Sequence, residues 1–148
     1  WMMGKGKVFA DWLAEIEEFA TANAGVAGFE KEMAILLRAV NAYKEIQSTI
    51  ASYFMDQKIS MMPLYATRIL QASGELICGQ LILEQALLAQ KKIGELGSDH
   101  YDYPFYNGKV NAAKYFVRNI VPNIFKTLEV VKEGDTSVLD IVEEAFLV

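Results

Sequence analysis

An all-α fold, specifically an up-and-down antiparallel four-helix bundle with a short C-terminal extension, is what this 148-residue sequence predicts. Apolar residues recur every three or four positions along four long segments, and no stretch alternates with the period of a strand. Glycine and proline clusters mark the joints between the segments. Short-to-moderate joints make antiparallel neighbours the natural packing. The same apolar seams would suit a coiled coil, but joints at Gly25, at Lys58 to Met62 and at Gly97 favour packing within one chain.

The first helix is expected from Val8 to Ala22. Phe9, Trp12, Leu13, Ile16 and Phe19 form its apolar stripe, with Asp11, Glu15, Glu17 and Glu18 toward water. Asn23-Ala24-Gly25 and Gly28 end it. The second runs from Glu30 to Asp56, with Phe29, Met33, Leu36, Val40, Tyr43, Ile50 and Phe54 in its stripe and Ile46 filling the gap left by Gln47. Pro63 starts the third, since its missing N–H costs nothing in a first turn. That helix, ending near Ile93, is apolar on more than one face in its second half, as a central helix is.

The fourth helix is expected from Tyr106 to Glu133, on a seam of Tyr106, Val110, Ala113, Val117, Ile120, Ile124, Leu128 and Val131. Pro122 lies inside it, removing an N–H and crowding the carbonyl of Arg118; a kink is expected there and not a break, because the stripe continues in phase. Gly134 stops the helix, and Asp135, Thr136 or Ser137 caps a last short turn toward Phe146.

Composition bounds the partners. The length suits a single domain, residues 1–148, with a core that needs no disulfide or metal. A hydrophobic content of 53% requires either thorough burial or a face that something else covers. The net charge of −5 argues against nucleic acid. The most apolar run, Leu81 to Leu88, is broken by Glu84 and Gln85 and falls short of the ~20 residues of a membrane span. A single cysteine, Cys78, rules out an internal disulfide; its apolar setting suggests a small buried side chain. Without a disulfide framework or a signal peptide, a cytoplasmic location is expected. Trp1-Met2-Met3 is an unusual start, and the chain reads as a piece of a longer one.

No constellation for chemistry emerges, and no catalytic, cofactor-binding or metal-ligating residue is assigned. A di-iron bundle needs two Glu-x-x-His motifs, whereas the sole histidine, His100, lies in a loop beside Asp99 and Asp102 and is best read as solvated. Gly4-Lys5-Gly6-Lys7 lacks the spacing of a phosphate loop, and no Ser or Cys occupies a nucleophile elbow. Glu75 and Glu84 are too far apart for paired acid–base work; each is expected to be exposed or paired with Arg38, Arg68 or a lysine. Lys109, Lys114, Arg118, Lys126 and Lys132, with Glu129 as the one acid among them, read as a solvated face. The other reading makes them an attractor for coenzyme A phosphates or an acidic neighbouring domain. Tyr101, Tyr103, Phe105 and Tyr106 either pack the helix entry or line an aromatic pocket.

Several motifs resemble the acyl-CoA dehydrogenases. Met2-Met3-Gly4-Lys5-Gly6-Lys7-Val8-Phe9 is similar to the segment that follows the flavin domain in the larger members, and Ala66-Thr67-Arg68-Ile69-Leu70 through Leu88 to a bundle helix. Phe105-Tyr106-Asn107-Gly108-Lys109-Val110-Asn111-Ala112-Ala113-Lys114-Tyr115-Phe116, then Ile120-Val121-Pro122, carries the strongest likeness; Gly134-Asp135 and Glu143-Glu144-Ala145-Phe146 close it. The long branch that includes 3-methylmercaptopropionyl-CoA dehydrogenase-like enzymes, with its extra C-terminal helical domain, is the nearest in pattern. The resemblance implies a parent flavoenzyme that binds FAD and desaturates an acyl-CoA, with this bundle packing on its upstream catalytic domains, supporting a homo-oligomer and holding no cofactor of its own. A free-standing interaction or adaptor bundle is the alternative.

Overall fold

The computed structural model describes residues 6–147, and within them every regular element is helical. Five α-helices follow in order: α1 Lys7–Ala22, α2 Glu30–Met55, α3 Met61–Leu96, α4 Tyr103–Asn119 and α5 Asn123–Glu133. Two 3-10 turns, Ser137–Asp140 and Glu143–Phe146, form the C-terminal extension. The expected all-α bundle is therefore observed, with α4 and α5 together in place of its fourth helix.

That division is the main departure from expectation. Val121 N–H bonds to the Phe116 carbonyl, five residues back, and Asn123 N–H to that of Ile120, three back. The regular ladder thus lapses over residues 120–122, because proline has no N–H to give and its ring crowds the carbonyl one turn earlier. Burial shifts with it: Val121, not Ile120, carries the stripe from Val117 to Ile124. Across the break the chain changes neighbours, since α4 packs mainly on α3 and α5 mainly on α2.

Helix ends moved for physical reasons. Pro63 and Pro104 lie in the first turns of α3 and α4 and not at their first residues, which is permitted because the early N–H groups of a helix have no intrahelical partner. Helix α2 ends in a Schellman arrangement: Lys58 N–H bonds to the Tyr53 carbonyl and Gln57 N–H to that of Phe54. Gln57 has φ 62°, a left-handed conformation usually left to glycine. Gly134 ends α5 at φ 68°, and a Cβ there would lie 2.6 Å from the Tyr53 hydroxyl oxygen. Asp135 caps the first 3-10 turn, its carboxylate accepting from the Ser137 N–H and Oγ at 2.9 Å each.

The core sits where α2 and α3 face each other, roofed by α1 on one side and by α4 and α5 on the other. Leu13 and Ile16 from α1, Met33, Leu36 and Tyr43 from α2, Leu76 and Leu83 from α3, and Val117 and Ile124 from the last pair are all buried. The α2 stripe ends earlier than expected, at Ile50, and Phe54 is exposed. Phe9, Trp12 and Tyr43 form a ring cluster with centroids 4.9–5.9 Å apart that ties α1 to α2. Tyr43 and Ser73 join α2 to α3 at 2.6 Å; since Ser73 Oγ donates to the Ile69 carbonyl, the tyrosine hydroxyl donates to it. Helices α2 and α3 form the central pair, each in contact with all four other helices.

Candidate functional site

The expected basic face on the last helical pair is largely consumed inside the molecule. Arg118 Nε donates to Glu32 Oε1 at 2.5 Å, linking α4 to α2. Glu32 is fully buried, whereas the Arg118 side chain stays 42% exposed. Lys132 pairs with Glu45 at 2.5 Å, Lys114 stands 4.9 Å over the Phe29 ring, and Lys109 reaches both Gln85 and the Phe105 ring. Lys109, Arg118, Lys126 and Lys132 nonetheless stay exposed, as a solvated face does, and four of the five cations also touch neighbouring elements. Nothing in the sequence pattern singled out Glu32, an acid at a position that periodicity assigns to the core side. Among the described residues its Oε2 is the one buried side-chain oxygen without a hydrogen bond.

The two carboxylates of α3 find amide partners in place of the expected cations. Glu75, buried, accepts from Asn123 at 3.0 Å and Gln71 at 3.2 Å; Glu84 accepts from Gln80 at 2.9 Å. Arg38 instead lies 4.7 Å over the Phe125 ring, and Arg68 is exposed. The nine-residue separation puts Glu75 and Glu84 on opposite sides of the helix. Asn123 is the first residue of α5, so Glu75 also anchors the chain directly after the Pro122 break.

His100 is an exposed loop residue whose Nδ1 accepts from the Asp102 N–H at 3.1 Å, with the Asp102 carboxylate 3.9 Å away. Asp99 accepts from Ser98. No cluster of three or more His, Cys, Asp or Glu suited to a metal occurs among the described residues. Of the four aromatics around the start of α4, Phe105 and Tyr106 meet edge-to-face at 5.3 Å and, with Gln85, Leu88, Ala89, Lys92 and Lys109, line a groove between α3 and α4. Tyr101 points away and is almost fully exposed. The groove, about 180 Å³, is below the ~300–1,000 Å³ typical of small-molecule sites. Gly4 and Lys5 lie outside the described residues.

The largest unassigned feature is the outer side of α3. Leu70, Ile77, Leu81 and Leu88 face solvent there, Leu70 at 74% and Leu88 at 67% exposure. Between Arg68 and Lys91 no charged residue is exposed, since Glu75 is buried and Glu84 half-buried. Cys78 corrects the expectation of a buried thiol: it is exposed on the flank of this stripe. An apolar neighbourhood in sequence signalled burial, but on a helix apolar around its whole circumference position alone cannot tell inside from outside. No helix among the described residues is long and apolar enough to cross a membrane. The outer side of α3 is thus a water-exposed, mostly apolar helix face some six turns long.

Bundle, inter-helix ion pairs and the exposed side of α3 together define an all-α helical-bundle domain. The sequence identifies which: residues 12–142 match the family model described as "Acetyl-CoA dehydrogenase C-terminal like", and the chain belongs to that family. Two proteins of Syntrophomonas wolfei named butyryl-CoA dehydrogenase are each 43% identical over 145 residues, covering 98% of this chain and 23% of theirs. A Mycobacterium tuberculosis protein named broad-specificity linear acyl-CoA dehydrogenase FadE5 is 29% identical over 147 residues, covering 96% of this chain and 24% of its own. The chain thus spans about a quarter of the length of these curated relatives.

Proposed function

We propose that residues 1–148 are one accessory domain at the C-terminus of an FAD-dependent acyl-CoA dehydrogenase. Its role is to pack on the preceding catalytic domains and to support the oligomer, while the α,β-desaturation of the acyl-CoA takes place elsewhere. The observation that carries this reading is the long, mostly apolar face that α3 leaves exposed between residues 69 and 90. The α3–α4 groove does not fit FAD or coenzyme A: it is too small, and Lys109 beside it is engaged with Gln85. In this reading the flavin and the catalytic base belong to the preceding domains.

The names of the relatives support a straight-chain acyl-CoA substrate such as butyryl-CoA, and the motifs of the long branch add 3-methylmercaptopropionyl-CoA as a second thioester to assay. A cytoplasmic enzyme accords with both. The test compares the longer enzyme with and without this bundle and the bundle alone, reading flavin content, dehydrogenation of both thioesters and oligomeric state. Flavin and turnover are expected only where the preceding domains are present, with lower stability when the bundle is missing. Bound FAD with turnover in the bundle alone would overturn the reading. An upstream reading frame holding only a start codon would favour a free-standing adaptor.

A further inference from the structure

The C-terminal extension carries a pattern that its conformation leaves unused. Along residues 137–147, Val138, Val142 and Ala145, and beside them Leu139, Val142 and Phe146, follow at steps of three and four. On a helix these residues share one side with Ile141, and Asp140, Glu143 and Glu144 take the other. Instead the segment makes two 3-10 turns parted by Ile141 and Val142, whose ψ angles of 119° and 147° are extended. Val138, Leu139, Ile141, Val142, Phe146 and Leu147 are all exposed. So short a helix is marginal in water without a surface for its apolar side, and the ladder stays open.

We propose that residues 137–147 close into one amphipathic helix on the outer side of α3 in the same chain, along Leu70, Gly74, Ile77 and Leu81. Position favours this occupant. The Tyr65 hydroxyl of α3 donates to the Asp135 carbonyl at 3.3 Å, so the extension leaves the bundle about 7.5 Å along the α3 axis before Leu70. A segment tethered there meets the face at an effective concentration on the order of millimolar, far above that of a separate chain. Length fits as well. Residues 137–147 as a helix and the row from Leu70 to Leu81 each measure about 16 Å, so the docked helix ends short of Glu84. A Cβ on Gly74 would meet nothing, which leaves room for a close approach in the middle of the row.

Charge agrees with the placement. Residues 135–147 hold four acids and no base, and the docked helix turns Asp140, Glu143 and Glu144 to water, so none is buried. Arg68 is the exposed cation at the near end of the row. The Tyr65 hydroxyl, held above its ordinary pKa chiefly by desolvation, also feels both Asp135 and Arg68, so this cation stands at the root of the acidic extension. Docking covers the near part of the face and leaves the part beyond Leu81, with Leu88, for packing on preceding domains. The contact lies within one chain and does not depend on the accessory role proposed above.

Cys78, the only cysteine, is exposed on the flank of the row and reports the cover. Its alkylation by N-ethylmaleimide is compared in the 148-residue chain and in a chain ending at Asp135. A reaction slower by about threefold or more is expected in the longer chain, because a tethered helix shields the thiol while docked. The Cα chemical shifts of Ile141 and Val142 should lie on the helical side. Leu70→Glu and Val142→Asp, both at exposed positions, should each restore the fast rate, and Glu143→Gln should not. Equal rates in the two chains, or extended shifts at Ile141 and Val142, overturn the proposal. Protection that grows with protein concentration also overturns it, by assigning the cover to another copy. None of these readouts involves flavin or turnover, so their failure and that of the accessory role are told apart.

Discussion

Replacing Arg118 by methionine removes the one cation hydrogen-bonded to Glu32. The carboxylate is fully buried, and its second oxygen already lacks a hydrogen bond, so no other protein group stands ready to replace the guanidinium. Breaking a buried pair from one side costs ~3–5 kcal/mol, because an uncompensated charge stays behind. Water reaches 42% of the Arg118 side chain, which places this case at the low end, about 3 kcal/mol. An exposed pair such as Lys7–Asp11 would cost ~1 kcal/mol or less. Removing both partners, Glu32→Met with Arg118→Met, leaves neither the charge nor the orphaned oxygen and should recover most of the loss. Urea unfolding of the four species gives the cycle, provided the slopes agree. A single-variant loss below about 1 kcal/mol, or a double variant no better than Arg118→Met, would refute the view that Glu32 is held at a cost only Arg118 offsets.

Three further outcomes follow from the backbone and the tail. Gln57→Gly should stabilise the chain by about 1 kcal/mol, read as a higher urea midpoint, since it relieves a left-handed glutamine in the α2 cap. Gly134→Ala should cost about 2–5 kcal/mol by adding left-handed strain to an overlap with the Tyr53 hydroxyl, and Tyr53 should lose its 2.7 Å bond to the Val131 carbonyl; Tyr53→Phe in the same chain should restore part of the stability. Hydrogen bonds from the Ser137 N–H, and then from its hydroxyl, hold the Asp135 carboxyl below its ordinary value. A depressed folded-state pKa contributes stability that is present above the unfolded value and lost as pH falls through the folded one. Protection of the Ser137 amide, taken relative to its intrinsic exchange rate, should therefore fall below about pH 4, where an aspartate becomes protonated, and Asp135→Asn should flatten that dependence.

How much of this was legible beforehand depends on the kind of information each feature needs. Periodicity located every helix, because burial of one face repeats at the helical period wherever one neighbour dominates. At Pro122 the same reasoning failed: an apolar stripe can stay nearly in phase while the hydrogen-bond ladder lapses, and the lapse is resolved only by Val121 settling against Gly79, whose missing Cβ leaves that space. Cys78 was misplaced because α3 has no polar side from which an inside can be deduced. The sequence leaves Glu75 exposed or paired with a cation, whereas it meets Asn123, a residue 48 positions away whose approach depends on the break itself. Glu32 and Arg118 lie 86 residues apart, and no local pattern links them. The candidate surface was foreshadowed only as an excess of apolar residues, without a location.

The way the charges are spent bears on how this domain must associate. Arg118, Lys132 and Lys44 each hold a carboxylate of another helix, so these three cations are already engaged within the bundle. Between residues 69 and 90 the exposed side chains of α3 are apolar or neutral, with Glu84 half-buried among them. Contacts made through charge lose strength as salt shortens the Debye length to ~8 Å at physiological ionic strength, whereas apolar contacts are strengthened by excluded salts such as sulfate. Association through α3 should therefore increase with added sulfate, as burial becomes more favourable. An assembly through the lysines of α4 and α5 would weaken instead. Salt dependence thus separates the two surfaces without any substitution, and an assembly that dissociates as salt rises would assign the contact to the charged face and not to α3.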